Sequence, residues 1–115
     1  MIGLPPAVQI FLAVEPVNLR LSFEGLAGLV RDRLGGEPLS GHLFVFRNRV
    51  GDRVKILYWD RTGMAMWYKR LQRGTFRFPT AATTSAQVSA ADLMLILEGI
   101  DLAGARRRKR FLIAA

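Results

Sequence analysis

HLFVFRNRVGDRVKILYWDRTGMAMWYKRL, residues 42–71, decides the fold. Three apolar, β-branched and aromatic runs lie in it, HLFVFRN (42–48), DRVKILYWD (52–60) and MAMWYKRL (64–71). Val50-Gly51 and Thr62-Gly63 separate them, and glycine at such places marks tight turns between strands. The stretch therefore reads as an antiparallel β-meander. Gly74 makes a further turn, and FRF (76–78), closed by Pro79, reads as a short additional strand.

Outward from the meander the pattern changes. VQIFLAV (8–14) has strand composition and no helical cap, and Glu15-Pro16 ends it. In SFEGLAGLVRDRL (22–34), Phe23, Leu26, Ala27, Val30 and Leu34 fall on one stripe of a helix. Ser22 is placed to cap it, Glu24 suits its first turn, and Gly35-Gly36 stops it. Gly25 and Gly28 weaken that helix and suggest close packing on a sheet. TAATTSAQ (80–87) reads as a loop. SAADLMLILEGI (89–100) reads as a second helix, capped by Ser89, with Asp92 in its first turn and Leu93, Ile96, Leu97 and Ile100 as its stripe. The fold class expected is α+β: a meander of four to five strands with both helices on one side. Residues 1–105 form the domain, and 106–115 form a basic C-terminal tail.

Charge is distributed unevenly. The 115 residues carry 17 Lys and Arg against 9 Asp and Glu, a net +8. Residues 47–77 hold nine basic and two acidic groups, whereas 78–105 hold three acidic groups and no basic one. RRRKR (106–110) adds a second basic block. Two blocks of positive charge attract a polyanion such as DNA, and a solvated face is the competing account. The candidates for phosphate contact are Arg47, Arg49, Arg53, Lys55, Arg61, Lys69, Arg70, Arg73 and Arg77, with Arg106, Arg107, Arg108, Lys109 and Arg110 as a second contact. Trp59 and Trp67 are candidates for stacking on bases.

Strand alternation places Arg53, Lys55, Leu57 and Trp59 on one face and Val54, Ile56 and Tyr58 on the other. On the next strand Trp67 and Lys69 oppose Met66, Tyr68 and Arg70. An odd loop at Asp60 would bring Arg53, Lys55, Trp59, Trp67 and Lys69 onto one surface. An even loop would break that set. Spacing leaves both registers open, and it leaves open whether the tryptophans cover the core instead.

Catalytic chemistry finds little support. There is no cysteine and one histidine, so neither thiolate catalysis nor a zinc site is expected. His42 reads as structural. The carboxylates are scattered rather than clustered for a two-metal centre, and no GxxxxGK phosphate loop is present. No cofactor or small-molecule substrate is expected. The N-terminus, MIGLPPAVQIFLAV, lacks a basic leader segment and is interrupted by Pro5 and Pro6. No apolar run is long enough for a membrane helix. The expected setting is cytoplasmic and nucleoid-associated, away from membranes.

GHLFVFRNRVGDRVKILYWDRTGMAMWYKRLQRGTF (41–76) resembles the signature of the insertion sequence 66 accessory proteins, often called TnpB, of bacterial transposable elements. These are unrelated to the RNA-guided nuclease of that name. The resemblance extends to NLRLSFEGLAGLV (18–30) and LEGIDL (97–102). A Thr-Asp-Met-Arg-Lys-like stretch of that family is replaced here by Val17, Asn18, Leu19, Arg20 and Leu21, which keeps the arginine and loses the aspartate. Val50 stands where a second basic residue is usual. The resemblance implies an accessory role in transposition beside a separate transposase, and no catalytic residues. The partners expected are DNA and the element's transposase; an adaptor that docks on the transposase without strong DNA binding is the alternative.

Overall fold

A computed structural model describes residues 7–79 and 83–101. Five strands and two helices follow in the order β1 (Ile10–Ala13), α1 (Phe23–Asp32), β2 (Leu43–Arg47), β3 (Arg53–Trp59), β4 (Met64–Arg70), β5 (Ser85–Val88) and α2 (Ala90–Leu97). A turn of 3-10 helix, Pro38–Ser40, precedes β2. The class is α+β, and β2, β3 and β4 form the expected meander.

The sheet has the order β4-β3-β2-β1-β5. It is mixed rather than wholly antiparallel. β1 runs parallel to β2, with Ile10 opposite Leu43 and Leu12 opposite Val45. Parallel neighbours need a long crossover, and α1 supplies it. β5 then pairs antiparallel with the free side of β1, Leu12 facing Ala86. Two local expectations fail. FRF (76–78) is not a strand; Phe76 is buried, and its N–H donates to the Gly51 carbonyl at 2.7 Å. The fifth strand comes from 85–88, overlapping the end of the segment read as loop, because the open edge of β1 supplies hydrogen-bond partners that Ser, Ala and Gln have no propensity to seek alone.

The helices lie on opposite faces, not on one side. α1 buries Leu26, Ala27 and Val30 with Ala13, Phe44, Phe46 and Leu57. α2 buries Leu93, Ile96 and Leu97 with Ile10, Leu12, Leu43, Val45, Val54 and Ile56. The central strands explain this. β2 reads LFVFR and is buried on both faces through Leu43–Phe46, as a strand covered on two sides must be. Gly25 and Gly28 do not serve sheet packing. A Cβ on Gly25 would meet Leu21, and one on Gly28 would meet nothing within 4 Å. Ser22 precedes α1 without a side-chain cap, whereas Ser89 Oγ accepts the Asp92 N–H at 3.1 Å. Among the described residues, no helix is long and apolar enough to cross a membrane.

Candidate nucleic-acid interface

The β2–β3 turn organises the basic end of the sheet. Asn48 Oδ1 accepts from the backbone N–H groups of Gly51 and Arg53 at 2.9 and 3.1 Å. Its Nδ2 donates to Asp52 at 2.8 Å. Gly51 has φ +87°, a conformation that favours glycine, and it is buried under Thr75. One side chain thus closes the turn and holds the nearby carboxylate. The Leu71 N–H donates to the Asp52 carbonyl at 2.8 Å, which pins the chain after β4 to the same turn. Arg49, Arg53, Arg70, Arg73 and Arg77 are all exposed, and these backbone bonds keep them at this end.

Register then decides which groups meet. β3 and β4 pair with Arg53 opposite Arg70, Lys55 opposite Tyr68, Ile56 opposite Trp67 and Trp59 opposite Met64. Residues 60–63 form the loop, an even count. Asp60 Oδ1 accepts from the Thr62 and Gly63 N–H groups and fixes it, with Arg61 at φ +86°. The even loop separates the two tryptophans. Trp67 packs half-buried on the α2 face, and Trp59 lies on the α1 face at the far end of β3. The single surface of Arg53, Lys55, Trp59, Trp67 and Lys69 is therefore not formed.

Several predicted cations have intramolecular roles. Arg47 donates to the Val14 carbonyl at 2.9 Å and lies over the Phe78 ring at 5.4 Å. Lys69 donates to the Leu97 carbonyl at 2.8 Å, capping the C-terminal end of α2 where a cation also suits the helix dipole. Lys55 donates to the Leu21 carbonyl at 3.2 Å and sits 5.4 Å from the Tyr68 ring. Arg61 lies at the other end of the β3–β4 hairpin, about 20 Å from Arg53 at strand spacing. Residues 106–110 lie outside the described residues.

The α1 face carries a further group of cations. Arg53 and Arg70 face each other, although like charges directly opposite are unfavourable. Among the described residues neither makes an ion pair. Beside them, Asn18, Leu19, Arg20, Asn48, Arg53 and Tyr68 line an open cleft of about 330 Å³. Asn18 shapes its wall by accepting the Arg20 N–H at 3.0 Å. Tyr68 is 51% exposed. Sequence reasoning missed Asn18, Arg20 and Tyr68 as parts of one site. The only signal was the arginine kept in the 17–21 stretch, which is far from β3 in sequence. His42 is structural, as expected: Nδ1 accepts the Gln9 N–H at 2.9 Å. Among the described residues no three His, Asp or Glu are grouped to hold a metal.

Fold and site define a small basic α+β module with an open, arginine-lined cleft at one end of its sheet. The chain belongs to the IS66 Orf2-like family, which matches residues 8–107, and it is thereby an accessory protein of a transposable element. It is 34% identical to the uncharacterized protein y4jC of Sinorhizobium fredii (strain NBRC 101917 / NGR234), over 94% of this chain and 92% of the relative. The uncharacterized protein y4hO of the same strain is 38% identical over 82% of each chain. No solved structure matches.

Proposed function

We propose that this accessory protein assists transposition by binding DNA, without catalysis, through the cleft lined by Arg20 and Arg53 and through Arg70 opposite Arg53. The observation that carries this reading is the Arg53–Arg70 pair, which makes no ion pair among the described residues. Two cations held opposite each other without a carboxylate repel, and a phosphate between them relieves that repulsion. Exposed Tyr68 adds a surface on which a base or sugar can rest. Arg49, Arg73 and Arg77 extend the positive field, and the 106–110 block supplies a second, sequence-independent contact.

The test is fluorescence anisotropy on the element's end DNA, random duplex and single strands across a salt series. Each phosphate neutralised on duplex DNA contributes about −0.9 to the log–log salt slope. Replacing Arg53 and Arg70 together by Gln is expected to weaken binding and flatten the slope by about 1 to 2. Truncation after Ala105 is expected to weaken binding while leaving any preference for end DNA. Loss of all binding on that truncation, with no effect from Arg53 and Arg70, would defeat the cleft assignment.

One observation favours the adaptor reading. Phe23 and Leu39 are 42% and 53% exposed and border a groove with Ala27, Pro38 and Met64, rimmed by Glu24 and Arg31, an apolar strip with charged edges suited to a protein. Nuclease-resistant co-purification with the transposase, lost on Phe23→Ser and Leu39→Ser, would support it. Co-purification abolished by nuclease would count against it.

A further inference from the structure

β4 stands at the edge of the sheet with one side unpaired. The bonds flanking the β3–β4 ladder show which groups face outward. The Asp60 N–H donates to the Gly63 carbonyl at 3.0 Å, and the Leu71 N–H donates to the Asp52 carbonyl at 2.8 Å. Bonded and non-bonded pairs alternate along an antiparallel ladder. Ala65, Trp67 and Lys69 therefore bond inward to β3, and Met64, Met66, Tyr68 and Arg70 direct their N–H and C=O groups outward. Among the described residues nothing bonds these outward groups. The strand is unbroken from 64 to 70, with no proline, glycine or bulge, and its charges, Lys69 and Arg70, are confined to its last two positions. The opposite edge, β5, is a four-residue strand.

We propose that β4 pairs antiparallel with β4 of a second copy of this chain, so that one sheet runs through both. A two-fold interface requires that each pairing be reciprocal. With the axis at Trp67, Met64 faces the partner's Arg70 and Met66 faces the partner's Tyr68, and the same pairs recur in reverse. All four outward residues then exchange backbone bonds. Trp67 meets its own copy at a close, non-bonded position, and Lys69 meets Ala65. Tyr68 gains a thioether neighbour on its ring. Within residues 64–70 no cation faces a cation. Moving the axis to Met66 or Tyr68 leaves Arg70 or Met64 without an outward partner, and moving it to Lys69 sets lysine against lysine. This register, which pairs every outward residue and keeps each cation opposite an uncharged side chain, points to a second copy rather than to an unrelated strand. The pairing does not rest on the DNA reading. It places two copies of the cleft lined by Arg20 and Arg53 on one continuous sheet.

The test uses the full chain. Sedimentation equilibrium at high micromolar concentration is expected to give twice the 12.9 kDa chain mass. Met66→Pro removes an outward N–H without touching the β3 ladder, and is expected to return the mass to that of one chain with the far-ultraviolet spectrum retained. The protein has no cysteine, so Trp67→Cys introduces a single thiol at the axis. It is expected to cross-link under mild oxidation, and Arg31→Cys on exposed α1 is not. A wild-type chain that stays monomeric would overturn the proposal and leave the edge to an extended segment of another protein. A dimer indifferent to Met66→Pro, with Trp67→Cys no faster to cross-link than Arg31→Cys, would overturn it too.

Discussion

Arg53 and Arg70 are held against their own repulsion. Across antiparallel strands such a pair costs a few tenths to about 1 kcal/mol relative to a neutral one. Arg70→Glu turns it into an attractive pair. It is expected to raise the urea midpoint slightly while weakening DNA binding several-fold; a variant that loses both stability and binding would contradict this account. Asn48 carries the opposite load. It makes three hydrogen bonds inside one turn, so Asn48→Ala is expected to destabilise by about 1–3 kcal/mol in urea unfolding. Of these residues, Arg53 and Arg70 were legible as charged strand positions. Their opposition was not, because it depends on the count of residues between Trp59 and Met64.

At the scale of elements, the two helices begin differently. Ser89 caps α2 with its side chain, and Ser22 gives α1 only its carbonyl, which accepts the Leu26 N–H at 3.0 Å. Ser89→Ala is expected to cost about 1 kcal/mol, and Ser22→Ala close to nothing, in parallel thermal melts. Gly28 sits inside α1 with open space where a Cβ would be. Gly28→Ala is accordingly expected to stabilise the protein by about 0.5–1 kcal/mol. The elements themselves were legible. Apolar stripes located both helices, and β-branched and aromatic runs located β1 to β4. β5 was not legible, since SAQV has no strand signature and is ordered by the edge of β1.

For the molecule as a whole, the sheet is a middle layer between two cores. Phe44 belongs to the α1 side and Ile96 to the α2 side, yet both cores share β2 and β3. Unfolding is therefore expected to be one cooperative step. Single-tryptophan variants offer the check: Trp59→Phe leaves Trp67 reporting the α2 side, and Trp67→Phe leaves Trp59 reporting the α1 side. Coincident urea transitions are expected; separated ones would mean that the layers unfold independently. The continuous burial of LFVF in β2 already signals a strand covered on both faces, and it outweighs the meander pattern that suggested a one-sided sheet.

The sequence by itself determined the types of β1 to β4 and of both helices, the meander, the concentration of positive charge and the family. Each follows from local periodicity, turn residues or composition, which act over a few positions along the chain. Only the tertiary structure decided that β1 runs parallel to β2, that the helices lie on opposite faces, and that Trp59 and Trp67 part company. It also gathered Arg20 beside Arg53 and Tyr68, and turned Arg47 and Lys69 inward onto backbone carbonyls. The physical reason is common to all of these. Register and layer placement are set by which surfaces bury one another across the whole chain, and a single residue more or less in a turn sends a side chain to the other face.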